Sequence, residues 1–215
     1  MKCAFDLAHY GELLAARPVG RLSVRFLRPR AVAPGDLLLR HDVDLSLDAA
    51  LTLAELEAEA GAQATYFLMT QSVFYNLASP EGEHALGRLR ELGHGVGLHA
   101  VYPRLDLDDR FDPVVAWHNP DPEFMREPLD GAVNVMQPGC FDPDHYRSDS
   151  NQHWRSGCPH EELAAGSVRV AAAAHASRDL GLPGRDDAGD DAGDARGRAR
   201  PRSRAPGRRP DRPVT

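Results

Sequence analysis

Isoleucine is missing from all 215 residues, and lysine occurs once against 24 arginines, the bias expected of a GC-rich gene. Cysteine is scarce: Cys3, Cys140 and Cys158 are too few and too scattered for a disulfide scaffold or a zinc ribbon. A reduced, cytoplasmic setting is therefore expected. No apolar run exceeds a few residues, so neither a membrane span nor a membrane partner is expected. The N-terminal segment carries Asp6 and Glu12 within an amphipathic pattern, which is not a signal-peptide core. A surplus of positive charge is also lacking: the net charge of −7 excludes a general nucleic-acid binder. What remains is 42% hydrophobic, enough to fill a core and to exclude wholesale disorder.

The chain divides near residue 170. Residues 171–215 hold 10 Arg, 7 Asp, 10 Ala, 6 Gly and 5 Pro, and they lack Phe, Tyr, Trp, Ile and Met. Such a stretch cannot bury enough apolar surface to order itself, so a disordered tail is expected. With ten basic and seven acidic residues it carries +3; residues 1–170, with 15 basic and 25 acidic, carry −10. A basic arm would fit the tail's sign, but its interspersed aspartates weaken that reading. Function is sought in a domain spanning 1–170.

Helical and strand patterns alternate there. Phe5 to Ala16 reads as an amphipathic helix ending before Pro18. Asp36 to Leu39, after a Pro-Gly turn, reads as a buried strand. Ser46 caps a helix through Glu59 that Gly61 ends. Ala64 to Leu68 is a strand, Glu81 to Leu92 a helix stopped by Gly93, Val96 to Leu98 a third strand and Val114 to Trp117 a fourth. The alternation predicts an α/β fold with parallel strands, whose right-handed crossovers gather the strand C-termini on one rim.

Chemistry-bearing residues sit at those ends. The first strand runs into Arg40-His41-Asp42-Val43-Asp44. In extended backbone Asp42 and Asp44 share a side, about 6.6 Å apart. Carboxylates that close call for a proton or a hard cation between them, although Asp44 or Ser46 could instead simply cap the next helix. The third strand ends in His99 and the fourth in His118-Asn119-Pro120. Together the residues form an Asp/His/His set suited to one metal ion with positions left open. His94 lies at the opposite rim and reads as a helix-terminus residue. His41 is expected beneath the site, and His9, His84, His145, His153 and His160 on solvated surface. Tyr66, Phe67, Phe74 and Tyr75 read as core or rim packing. Arg40 and Arg155 suit either an anionic sugar or internal ion pairs.

The succession Leu39 to Asp44, Ala64 to Phe67, then Gly93 to His99 resembles the polysaccharide deacetylases, the NodB-type carbohydrate esterases. It is most similar to an uncharacterised bacterial branch with an Arg-His-Asp-Val-Asp signature. Ser72 to Leu77 and Ser148 to Arg155 belong to the resemblance, which covers roughly residues 1–170. It implies a distorted (β/α) barrel, a divalent metal such as zinc, and hydrolysis of an amide on an acylated sugar or a nucleotide-linked sugar. It also implies Asp42 as the general base and Asp44 and His99 as metal ligands. The family's second metal histidine falls four residues after the first, where this chain has Pro103, and His118 is the substitute. Asn119, Asp149 and Trp154 match positions that shape the groove, support the base and line the acyl pocket. The family ends on a strand leading to a general-acid histidine, in this branch resembling Leu-Thr-His-Pro-Glu, which this chain lacks as written.

Without that strand the barrel is expected to be incomplete at its C-terminal end, and the enzyme impaired. The tail from about Ala171 reads as an out-of-frame product of GC-rich DNA. Two further readings compete: a non-catalytic remnant of the family, and a glycosyltransferase using Asp42-Val43-Asp44 to hold a metal and a nucleotide diphosphate.

Overall fold

Capping residues open the helices where the pattern places them. Asp6 accepts a hydrogen bond from the backbone N–H of His9 (2.7 Å) and starts α1, Leu7–Ala15. Ser46 does the same for the N–H of Ala49 (3.2 Å) at the head of α2, Leu47–Glu59. Ser79 caps α3, Pro80–Glu91, whose first residue is the proline favoured at that position. Gly61 and Gly93 lie just past the ends of α2 and α3 at φ of +66° and +89°, where a side chain would be strained. A short α4, His160–Ala164, lies far along the chain. The computed structural model describes residues 6–16, 37–138, 140, 146–148, 158–165 and 170–173. No described helix is long and apolar enough to cross a membrane.

The strands are β1 (Leu37–Val43), β2 (Ala64–Leu68), β3 (Gly95–Ala100), β4 (Val114–Trp117), β5 (Val133–Asn134), β6 (Tyr146–Ser148) and β7 (Val170–Ala173). They form one sheet in the order β5-β4-β3-β2-β1-β7-β6, and every pairing is parallel. The predicted α/β architecture is therefore present. Two features differ from expectation. β1 continues four residues beyond Leu39, carrying Arg40, His41 and Asp42 inside the sheet. A buried strand tolerates them because each is paired, Arg40 with Asp42 in an ion pair and His41 in a hydrogen bond to Glu57. The first residues of the segment expected to be disordered are instead in a strand: β7 pairs with β1 from Leu37↔Val170 to Arg40↔Ala173. Backbone pairing does not depend on side chains, and the edge of β1 offers unpaired N–H and C=O groups to whatever extended segment reaches it.

The described residues of β1, β2, β3 and β4 are buried on both faces from Leu38 onward, as parallel sheets require. Leu39, Val43, Tyr66, Leu68, Val96, Leu98, Val115 and Trp117 share one cluster with helix residues such as Leu53 and Leu89. Leu38, Phe67, Val114, Ala116 and Val135 form a smaller cluster on the other face. There the Phe67 ring lies over Gly97, where an added Cβ would fall 2.5 Å from a ring carbon. Arg40 sits above the same ring, 5.7 Å from its centroid.

Beneath the sheet, α2 contributes Glu57, which is fully buried. It accepts from His41 Nε2 (2.6 Å) and Tyr66 Oη (2.6 Å), and from the hydroxyl of Tyr10 on α1. Burial pushes its pKa up, but His41 and the two hydroxyls more than offset this and hold it below its ordinary 4.5. His94 stands just past the end of α3, as expected, its N–H donating to Leu89 O (3.0 Å); its ring is buried, Nδ1 accepting from Ala64 N–H (3.1 Å) and Nε2 donating to Ala54 O (2.9 Å). His41 and His94 thus both serve the core.

Candidate metal centre

The register brings two distant strands to the same level. Val43 is level with Leu68 and Leu68 with Leu98, so Asp44 and His99, each one residue further on, stand level across the sheet. His99 in turn is level with Ala116, two residues before His118. Asp44, His99 and His118 also share the sheet face that carries Arg40, Phe67 and Ala116. The backbones of β1 and β3 lie about 10 Å apart with β2 between them. The side chains cross that gap.

Asp44 Oδ1 lies 3.2 Å from His99 Nε2 and 3.3 Å from His118 Nδ1, and the two imidazole nitrogens are 3.1 Å apart. One ligand atom from each of the three residues falls within 4.8 Å of the others. His99 is buried, while Asp44 and His118 are half-buried, so the cluster opens toward solvent on one side. His99 Nδ1 lies 3.0 Å from Ala116 O. Donation to that carbonyl puts the proton of a neutral imidazole on Nδ1 and turns the Nε2 lone pair toward Asp44. Asp44 Oδ1 is buried and forms no hydrogen bond of its own. Burial pushes the Asp44 pKa up, but His99 and His118 more than offset it and hold it below its ordinary 3.8. Lone pairs facing one another at this range call for a positive charge, either a proton on an imidazole or a cation.

The surroundings fix these side chains. Asn119, at φ +46° in the left-handed region that asparagine tolerates, sets its amide nitrogen 3.3 Å from His118 Nε2. Tyr75 Oη donates to Val43 O (2.6 Å) and accepts from Met69 N–H (2.8 Å), tying the ends of β1 and β2 together. Ser72 Oγ donates to Asp44 O (3.3 Å). Met69, Thr70, His99, Val101 and Arg104 are among the residues around a cavity of about 130 Å³ beside the cluster, room for an acetyl-sized group or a few waters.

Asp42 is placed differently from Asp44. Arg40 Nε lies 2.8 Å from its Oδ1 and Arg40 Nη2 2.6 Å from its Oδ2, a bidentate pair with both side chains buried. Burial disfavours the Arg40 charge, but Asp42 beside it holds the guanidinium pKa above its ordinary value. Arg40 is thus committed to an internal ion pair. Asp149 and Trp154 lie outside the described residues, as do Arg155, His145, His153 and the chain from 174 onward. His84 is exposed as expected, but His9 is buried and His160 only half-exposed, which corrects their assignment to solvated surface. Sequence reasoning overlooked the hydroxyl bridge of Tyr75 and the carbonyl of Ala116. Only the aromatic at 75 left a sequence trace, since a carbonyl leaves none. No family model, curated protein or solved structure matches the chain.

Proposed function

We propose that the chain is a metal-dependent hydrolase of the polysaccharide-deacetylase type, cutting the amide C–N bond of an acylated sugar or nucleotide-linked sugar in the cytoplasm. One observation carries the reading: Asp44, His99 and His118 converge around a buried carboxylate oxygen that lacks a hydrogen bond. Two nitrogens and one oxygen make a donor set that fits zinc or a similar divalent ion. Bound there, such an ion supplies Lewis-acid polarisation of an acyl carbonyl. Further support comes from the strand order. Because β1 pairs with β7, the strands follow the cyclic order of a barrel, with only β5 and β6 left unjoined among the described residues. This order is what a distorted barrel of the proposed family, open at one seam, would have, and so supports the reading.

The chain's own residues then have separable tasks. His99, donating from Nδ1 to Ala116 O, turns its Nε2 lone pair toward Asp44; His118 accepts from the Asn119 amide at Nε2 and so carries its proton on Nδ1, and to hold an ion it would move that proton to Nε2. Asp42 takes the proton of the attacking water. The Arg40 guanidinium fixes the direction of its two oxygens. The cavity beside His99 receives the acyl group away from bulk water. Protonation of the leaving nitrogen falls to a histidine that the chain lacks as written. Loss of a general acid costs about 10²–10⁴-fold in rate, so binding without rapid turnover is expected. That loss also favours the second reading, a non-catalytic remnant.

The test is metal analysis of the full chain together with acetate release from N-acetylglucosamine oligomers. Bound metal with slow acetate release, and loss in Asp44→Asn of one metal equivalent together with the acetate release, supports the hydrolase. Metal without acetate release supports the remnant. Metal with nucleotide-diphosphate binding and no acetate release transfers the site to a glycosyltransferase.

A further inference from the structure

A second cluster of metal-binding side chains lies away from the strand ends, where α1 packs against α4. His9, Glu12 and His160 each offer one ligand atom, all within 4.8 Å of one another. His9 and Glu12 lie three residues apart and so share a face of α1, with His9 Nδ1 3.3 Å from Glu12 Oε2. The His9 and His160 rings stack with centroids 6.1 Å apart. On the far side of His9, Nε2 lies 3.3 Å from Cys158 Sγ.

Ordinary hydrogen bonding explains part of this. Cys158 could donate to His9 Nε2 while His9 Nδ1–H donates to Glu12. That leaves His160 Nδ1, a buried atom with no hydrogen-bond partner, unexplained. We propose that His9, Glu12 and His160 hold a second divalent transition-metal ion of the zinc class, with Cys158 as the orienting partner of His9. In this arrangement His9 carries its single proton on Nε2, which donates to Cys158 Sγ, and turns its Nδ1 lone pair toward the ion. Metal-bound histidines commonly place their second N–H on an acceptor in this way. The His/Glu/His donors suit zinc, cobalt or nickel better than calcium or magnesium, which need oxygen ligands. The ion clips α1 to a segment about 150 residues later and shares no ligand with the Asp44 centre.

Equilibrium dialysis of the full chain against zinc, followed by metal counting, tests this. The wild type should hold two equivalents, His160→Gln one, Asp44→Asn one, and the double variant none. Glu12→Gln, at a side chain too exposed to threaten folding, should weaken one of the two sites by 10-fold or more. A single equivalent lost in His160→Gln but kept in Asp44→Asn would uphold this site and remove the first. Two equivalents retained in both His160→Gln and Glu12→Gln, or all zinc lost in Asp44→Asn alone, would overturn it.

Discussion

His99 Nδ1 lies 3.0 Å from the carbonyl oxygen of Ala116, one strand over, and that bond decides which nitrogen of His99 faces Asp44. A backbone acceptor cannot be removed by mutation, so the orientation is built into the β3–β4 pairing. His118 depends instead on a side chain, Asn119. With an ion on Nδ1, His118 carries its proton on Nε2 and Asn119 must turn its amide oxygen to accept it, so Asn119→Ala should weaken zinc binding about 10-fold, the lower end for loss of an orienting partner. Asp44→Asn and His99→Gln, which remove ligands outright, should weaken it more than about 100-fold. Calorimetric titration of the three variants gives the order, and an Asn119→Ala loss as large as that of Asp44→Asn would mean that asparagine itself binds the ion.

The Arg40–Asp42 pair sets a second expectation. Arg40→Met leaves a buried carboxylate without its counter-charge and should cost about 3–5 kcal/mol, read from urea denaturation. Arg40→Met combined with Asp42→Leu removes both charges and should cost much less, because burying an ion pair is itself expensive. If the double variant is as unstable as the single one, Arg40 contributes through its packing on Phe67 and not through charge.

Glu57 makes acid stability depend on one buried carboxylate. Its pKa is lowered in the folded chain relative to the ordinary 4.5. The stabilisation is therefore fully present above 4.5 and is lost as pH falls through the lower folded value. Glu57→Gln should cost about 3–5 kcal/mol at pH 7. It should also flatten the acid limb of the stability curve, measured as denaturation midpoints from pH 7 to pH 3. An acid limb unchanged in the variant would shift the effect to other carboxylates.

Much of the candidate site could be read in the sequence because it rests on two periodic rules. Side chains two apart share a strand face, and parallel strands with helical crossovers end on one rim, so Asp42, Asp44, His99 and His118 were legible without coordinates. Partnerships that depend on which element packs where were not. Glu57 looked like one more charge on a helix, yet it gathers His41, Tyr10 and Tyr66. His9 and His160 looked solvated because about 150 residues separate them. Nor did the sequence show why position 97 is glycine; the Phe67 ring occupies the space a side chain there would need.

The last prediction concerns the reading frame of the C-terminal segment. Take residues 175–185, His-Ala-Ser-Arg-Asp-Leu-Gly-Leu-Pro-Gly-Arg, as their codons. Read from the second base of the His175 codon, those bases can spell Thr-His-Pro-Glu-Ile-Trp-Val-Tyr-Pro-Gly, close to the general-acid motif that the resemblance requires. With the GC-rich codons TCN, CGN and CTN for Ser, Arg and Leu, the outer two bases of each shifted codon are fixed and the middle base is free, or limited to a pyrimidine at His175 and Asp179. The alanine codons at 171–174 can likewise give Gln-Leu-Leu-Leu, a stronger strand than alanine. β7 lies where this strand is needed. Continuing its register along β1, from Arg40↔Ala173, for three or four residues would set the restored histidine level with Val43 or Asp44, on the rim of the metal centre. Sequencing the gene decides the matter: the free bases should spell His-Pro, and the shifted frame should stay open well beyond the motif. An early stop or another codon in place of histidine ends the idea. With the frame restored, acetate release should rise about 10²–10⁴-fold over the chain as written, at unchanged metal content, because a proton donor is gained and the ligands are untouched.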